Sequence, residues 1–432
     1  GGVRATDGDG PIYGTVGYQA PEIADEGPSV SSDLYTVARS LAVLTFDFKG
    51  YQGQYKFTLP DGVPLLDENE SFARLLRRGT HADPDRRFGS AGEMADQLTG
   101  VLREVIAIAD GAQRPAFSTL FSPELRGIGA EGKPTAAEVI AGLPMPQVDR
   151  TDPAAGYLAT FAGLSPARRA QALEDAITQG SGVPPEVASS PEMALALVRA
   201  RIESGDTAGA VQVLGELAAA DPGDWQIAWY NGLTALARGD AETARGAFAA
   251  VYDELPGELA PKLALALAAE AAGNSAEAAR FFRLVWTVDR SYISAAFGLA
   301  RCLLDGGDRD GAVEVLSQVP ETSSYHLAAQ IQAVEIAAVA GSTGEDLLGA
   351  AARLGKLPAI DEARRQELSA TILRTALEQP PPGKILGCQP DERSLRFGLE
   401  RCYRAQARLV SDRKRRIELV DMANAIRPRT LL

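Results

Sequence analysis

The sequence predicts a mostly α-helical protein: a short non-repeating helical block, then an α-solenoid of paired helices. Three observations carry this. Gly205, Gly239, Gly273 and Gly307 recur every 34 residues, and Ala210, Ala244, Ala278 and Ala312 keep the same interval. Ala and Leu dominate the composition, with few β-branched runs. A Pro- and Gly-rich stretch over residues 111–150 separates the repeating part from what precedes it. At 432 residues the chain has room for two or three domains.

The front block opens on a loop, Gly14-Thr15-Val16-Gly17-Tyr18-Gln19-Ala20-Pro21-Glu22. A helix follows, with Ser32-Asp33 at its start. Leu34, Val37, Ala38, Leu41, Val43 and Leu44 cover nearly its whole circumference, which predicts a buried helix. Asp83-Pro84-Asp85-Arg86-Arg87 reads as a polar turn. Ser90-Ala91-Gly92-Glu93 is a capping box, and Met94, Leu98, Val101, Leu102 and Val105 continue from it at helical spacing. Glu22 is a carboxylate in apolar surroundings and needs a cationic partner.

In order and spacing, this block resembles the later part of a serine/threonine protein-kinase C-lobe. The family pattern is Gly-Thr-x-x-Tyr-x-Ala-Pro-Glu, then a helix carrying Asp-x-Tyr/Trp-Ser/Thr, here Asp33-Leu34-Tyr35-Thr36, then a late Asp-Pro-x-x-Arg. The resemblance implies that Gly14, Thr15, Val16, Gly17 and Tyr18 form the peptide-substrate loop, with the Thr15 hydroxyl bonding a catalytic Asp. It also implies that Glu22 pairs with Arg87, and that Asp33 accepts backbone N–H bonds from a catalytic loop. Kinases carry their nucleotide site, catalytic base and metal ligands upstream of this loop. None of that machinery is in the chain, so no catalytic residue is assigned. The chain by itself is expected to bind no cofactor and to be inactive, with ATP and Mg²⁺ belonging to a full-length parent. Asp33 is expected to have lost its partner, and the front block to be less stable than the repeats. Gly1 stands where the Gly of a metal-binding Asp-x-Gly would fall, which one residue does not establish. Thr6, between Asp7 and Asp9, is either an activation-loop phosphosite or an ordinary exposed residue.

The 34-residue period resembles the tetratricopeptide repeat, a helix–turn–helix unit. Each glycine ends a first helix in a left-handed conformation. Asp206, Asp240, Asn274 and Asp308 follow as N-caps of the second helix. The alanines sit where helices cross closely. Leu214, Phe248, Phe282 and Leu316 fill the space one turn later, and Pro222 and Pro256 stop two of the second helices. Stacked units of this kind make a groove. That groove either holds a peptide or protein partner, or serves only as a spacer or dimer face.

The predicted organisation is a partial protein-kinase C-lobe over residues 1–110, a connector over 111–150 anchored by Phe117, Leu120 and Phe121, tetratricopeptide-like repeats over 151–345, and a helical extension over 346–432 broken at Pro380-Pro381-Pro382-Gly383. The formal net charge of −14 argues against a nucleic-acid partner. The basic run Arg413-Lys414-Arg415-Arg416 reads as a solvated helix face. Cys302, Cys388 and Cys402 fit neither a zinc site nor a disulfide framework, and His81 and His326 have no ligand-like neighbours, so no metal site is expected. No membrane-spanning run and no signal peptide are visible. The chain opens Gly-Gly and not Met, which reads as a piece of a longer protein.

Kinase-like sequence followed by these repeats is similar to the actinobacterial serine/threonine protein kinase G family. The stretches that carry this are Thr99–Val105, Ser118–Pro123, Pro256–Ala266, Ile293–Arg301 and Leu419–Asn424. The resemblance implies ATP-dependent phosphorylation of protein Ser/Thr in a cytoplasmic enzyme. It implies a forkhead-associated-domain protein as substrate or regulator, and a repeat domain that supports homodimerisation and recruitment. Two readings stand: the C-terminal portion of an active kinase, or a non-catalytic repeat adaptor with a kinase remnant as a prop.

Overall fold

A computed structural model describes residues 14–179, 182–339, 341–357 and 360–428. Gly1, Thr6, Asp7 and Asp9 lie outside them. The described residues are mostly helical, with no β-strand among them. They fall into two compact units, one drawn from Gly1–Arg126 and Thr135–Asp289, the other from Gly127–Pro134 and Arg290–Leu432.

The first unit begins with three long helices: α1 (Val30–Thr45), α2 (Glu70–Gly79) and α3 (Ala91–Asp110). Leu34, Ala38 and Ala42 of α1 pack with Leu75, Leu76, Phe88 and Met94 into one small core. The expectation that α1 is buried all round does not hold. Val30, Val37 and Leu44 recur every seven residues on one face and are 63%, 46% and 81% exposed. Apolar periodicity reports that a helix has apolar sides; it does not report which of them the chain covers. At the start of α3 the Ser90 hydroxyl accepts the Glu93 N–H, while the Glu93 carboxylate reaches one residue further back, to the Gly89 N–H.

The repeats of this unit follow: α4 (Pro166–Gln179), α5 (Pro191–Ser204), α6 (Thr207–Ala220), α7 (Trp225–Ala237), α8 (Ala241–Glu254), α9 (Ala260–Ala271) and α10 (Ser275–Val288). Gly205, Gly239 and Gly273 take φ of 88°, 77° and 81°, the left-handed turn a Cβ resists. Asp206, Asp240 and Asn274 each accept the backbone N–H three residues on. Ala210, Ala244, Ala278, Phe248 and Phe282 have no exposed surface, and Leu214 has almost none.

The front block and the repeats share a buried seam inside this unit. At its centre, Gly100 of α3 lies against Gly257, and a Cβ on Gly100 would come within 2.2 Å of the Gly257 carbonyl oxygen. Lys262 of α9 donates to the Glu104 carboxylate (2.6 Å) and the Pro256 carbonyl (2.8 Å). The Ser71 hydroxyl of α2 also donates to Glu104 (2.8 Å) and pairs with the Tyr252 hydroxyl (2.7 Å). All four side chains are buried, Lys262 and Tyr252 completely. At the edge, Arg74 bridges Glu70 and Asp253, and Arg78 bridges Glu93 and Glu254.

Residues 111–126 are ordered by Phe121, which is buried against the rings of Trp225 and Trp229 (centroids 5.1 and 4.8 Å). Leu120 is half-buried, but Phe117 is 96% exposed and anchors nothing. The chain bends at Thr119 and Leu120, where the Ser118 hydroxyl accepts the Leu120 and Phe121 N–H groups, so Phe117 and Phe121 need not share a face.

The second unit holds α11 (Ile293–Asp305), α12 (Arg309–Ser317), α13 (His326–Ala337), α14 (Gly344–Gly355), α15 (Glu362–Glu378), α16 (Glu392–Leu409) and α17 (Arg413–Ile426). Gly307 (φ 83°) and the Asp308 cap repeat the turn geometry, with Ala312 and Leu316 fully buried beyond it. Gly341 (φ 85°) holds the register once more, a fifth position the sequence analysis passed over. Residues 127–134 belong to this unit: the Ile128 N–H donates to Ser294 Oγ (2.6 Å) and Arg301 donates to the Gly129 carbonyl (3.0 Å). The run Arg413–Arg416 is exposed.

Candidate site: a pinned loop and its supports

The loop after residue 13 is short of internal hydrogen bonds, so its shape has to come from what it rests on. Gly14, Thr15 and Val16 are exposed. The chain then turns down at Gly17, whose φ of 90° and buried position against the Tyr51 carbonyl leave no room for a Cβ. Tyr18 packs edge-on against Tyr51 with centroids 5.3 Å apart, and Thr36 of α1 donates to the Tyr18 carbonyl (3.1 Å).

The loop's main support is Arg39, which sequence reasoning missed. Its guanidinium is fully buried and donates to four backbone carbonyls: Gly17 (2.9 Å), Thr58 (2.7 Å), Tyr51 (3.1 Å) and Tyr55 (2.7 Å). It also lies 4.7 Å from the Phe48 ring centroid. Burial pushes its pKa down, against the attraction of Tyr35 and Tyr18. A guanidinium satisfied by carbonyls, with a fork of five donors, is a mechanical part. It ties residues 17–18 to the segment 51–58. The signal was available: Arg39 is the one charge in the run Leu34–Leu44, and such a charge must be partnered.

At the end of the loop Glu22 meets Arg87. The two form a bidentate pair (2.6 and 2.9 Å), with the Arg87 side chain fully buried and Glu22 only 10% exposed. Arg87 also donates to the His81 and Ala82 carbonyls and sits over the Tyr35 ring. Burial alone would raise the Glu22 pKa, but the Arg87 hydrogen bonds outweigh it and hold the carboxyl below its usual range. Asp33 is exposed, and its carboxylate has no partner among the described residues.

The arrangement presents an exposed strip, residues 14–16, on a rigid base. Among the described residues no cluster of His, Cys, Asp or Glu is placed to hold a metal ion. The three cysteines are buried thiols, and among the described residues no helix is long and apolar enough to cross a membrane. His81 Nδ1 accepts the Asp83 N–H and His326 Nδ1 lies 2.8 Å from the Val319 carbonyl, so both serve local backbone structure.

Comparison with known proteins adds the following. Residues 115–430 match the family model described as protein kinase G tetratricopeptide repeat. The serine/threonine-protein kinase PknG of Mycolicibacterium smegmatis is 39% identical over 456 residues, covering 99% of this chain and 60% of that protein. The serine/threonine-protein kinase PknG of Mycobacterium leprae is 39% identical over 460 residues, covering 100% of this chain and 60% of its own length. The chain therefore spans about 60% of the length of these curated relatives. Among solved structures, a tetratricopeptide repeat protein from Parabacteroides merdae covers 62% of this chain at 13% identity, with a TM-score of 0.36 and 96% of its own chain covered.

Proposed function

This chain belongs to the protein kinase G family, and we propose that it is the C-terminal portion of a serine/threonine protein kinase, with residues 14–110 the later part of the kinase C-lobe. In this reading Gly14–Tyr18 is the peptide-substrate loop, and Thr15 meets the catalytic Asp. Arg39 and the Glu22–Arg87 pair hold the loop in register. ATP and Mg²⁺ are used by the full-length enzyme, because positioning and metal-borne charge stabilisation supply most of phosphoryl transfer. The observation that carries this is the loop itself: it is pinned at Gly17, Tyr18 and Glu22, while Gly14–Val16 stay open, which suits a surface that docks an extended peptide. The repeats recruit a protein substrate or regulator, a forkhead-associated-domain protein in the family resemblance, and support a homodimer in the cytoplasm.

A non-catalytic adaptor is the second reading. It is favoured by the seam at Gly100, Glu104 and Lys262, which makes the front block an integral part of the first repeat unit. One experiment separates the two. The 432-residue chain and a version extended through its upstream coding sequence are assayed with Mg·ATP and a generic basic protein substrate. The kinase reading expects phosphotransfer from the extended protein alone, abolished by Thr15→Ala. An upstream sequence with no Gly-rich loop, strand lysine or catalytic Asp overturns it. Specific heat of Mg·ATP binding to the shorter chain overturns the assignment of the nucleotide site upstream.

A further inference from the structure

Charge is unevenly spread along this chain. The net charge is −14, yet residues 392–416 hold nine Lys or Arg against three Asp or Glu. These residues form α16, a short turn and the start of α17. We propose that the tip of this helical hairpin, residues 408–417, docks on the surface of an anionic lipid bilayer. The tip is a built turn. The Asp412 carboxylate accepts the Lys414 and Arg415 N–H groups (3.3 and 3.1 Å), and Arg416 donates to the Val410 carbonyl (2.9 Å). Leu419 and Ala423 seat α17 in the core of the second unit, which turns its opposite face outward. On that outward face Ile417 stands one helical turn beyond Arg413. Leu409 closes α16 beside the exposed Arg408. Leu409 is 49% and Ile417 53% exposed.

The tip does not neutralise its own cations. Among the described residues no carboxylate pairs with Arg408, Arg413, Lys414 or Arg416. Glu418 is taken up by Arg415 at 3.1 Å, and Asp412 caps the helix. Asp421, one turn beyond Ile417, marks where the basic patch ends. Salt screens fixed charges within about 8 Å under physiological conditions, so an approaching surface feels the sign of the tip and not of the whole chain. Exposed aliphatic side chains set among cations suit a lipid surface. Leu409 and Ile417 enter the edge of the acyl layer, while the Lys and Arg heads stay with the lipid phosphates. A nucleic acid fits less well. Single strands are gripped by aromatic rings that stack on bases, and no aromatic residue lies between Tyr403 and Pro428. On a soluble polyanion the two aliphatic side chains would stay in water.

The test is flotation of the 432-residue chain with vesicles of phosphatidylcholine alone, or of equal parts phosphatidylcholine and phosphatidylglycerol. Binding to the anionic vesicles only is expected, and it should fade as salt rises. Each Lys or Arg at such a surface is worth about fivefold in partition. Arg413→Glu with Lys414→Glu should therefore weaken binding by about a hundredfold or more. Leu409→Ser with Ile417→Ser leaves the charge unchanged and should weaken binding about tenfold. Arg77→Glu with Arg150→Glu makes the same charge change at exposed positions in the first unit and should alter little. Circular dichroism checks that each variant is folded. The proposal is overturned if the wild type ignores the anionic vesicles or binds the neutral ones as well. It is overturned if either tip variant binds like the wild type, or if the control pair weakens binding as much as the Arg413 and Lys414 pair. Displacement from the vesicles by an equal charge of poly-glutamate or single-stranded RNA also overturns it, because a soluble polyanion would then suffice.

Discussion

Replacing Lys262 by Met should be among the most damaging single changes in the chain. The ammonium is fully buried, and it is both the sole cation on Glu104 and the donor to the Pro256 carbonyl. Removing it leaves a carboxylate only 5% exposed, held by the Ser71 hydroxyl alone, and an orphaned carbonyl. Breaking one side of a buried pair costs about 3–5 kcal/mol. Removing both charges is a different matter. In Lys262→Met with Glu104→Met, Ser71 and Tyr252 still bond each other, and the remaining cost is the Pro256 carbonyl, about 1–3 kcal/mol. The double variant should therefore be more stable than either single one, with a coupling energy of about 3 kcal/mol or more. The assay is urea unfolding followed by tryptophan fluorescence. Trp225, Trp229 and Trp286 all lie in the first unit, so the signal isolates it. A cost below about 1 kcal/mol for Lys262→Met, or additive single variants, would refute the claim that the seam rests on a desolvated pair.

Arg39→Leu should orphan four carbonyls and cost about 3 kcal/mol or more, with new protease sensitivity at residues 51–58. Arg39→Lys should not rescue it, since one ammonium cannot span the fork; wild-type resistance in the lysine variant would show that charge alone suffices. The Glu22 pKa is depressed in the fold, so its contribution is present above the ordinary value of about 4.3 and is lost as pH falls below it; Arg87→Met should erase that acid-side loss in a Tm-against-pH series and cost about 3 kcal/mol at neutral pH. Ala278→Leu should overpack the crossing of α9 and α10 and cost about 1–3 kcal/mol in the same urea titration. Hydrogen exchange should show α2 and α3 protected as well as α8–α10, which they pack against, with α1 exchanging earlier along its exposed Val30–Val37–Leu44 face; early exchange throughout α2 and α3 would mean the seam opens independently of the repeats.

The repeats could be read from the sequence because each signature position meets the same neighbour in every unit. Gly205 and its equivalents turn the chain, Asp206 and its equivalents cap, and Ala210 and its equivalents admit the next helix, so one geometric demand is written several times. Phe117 and Val37 show the limit. Apolar character says that a side chain gains from burial, and only the tertiary arrangement says whether anything covers it. Here Phe121 found Trp229, while Phe117, on the same short segment, found solvent.

The site divides the same way. Glu22 and Arg87, 65 residues apart, were paired from a motif in which charge and spacing are both distinctive. Arg39 had a signal of half that kind: a lone cation inside an apolar helix announces that it must be satisfied, but carbonyls satisfy it, and every residue carries one. Lys262 is the same case in α9, and its partner Glu104 is 158 residues away across a docking surface with no periodicity to betray it. The consequence is a rule for chains of this type: a single charge in an apolar helical run marks where the fold is held.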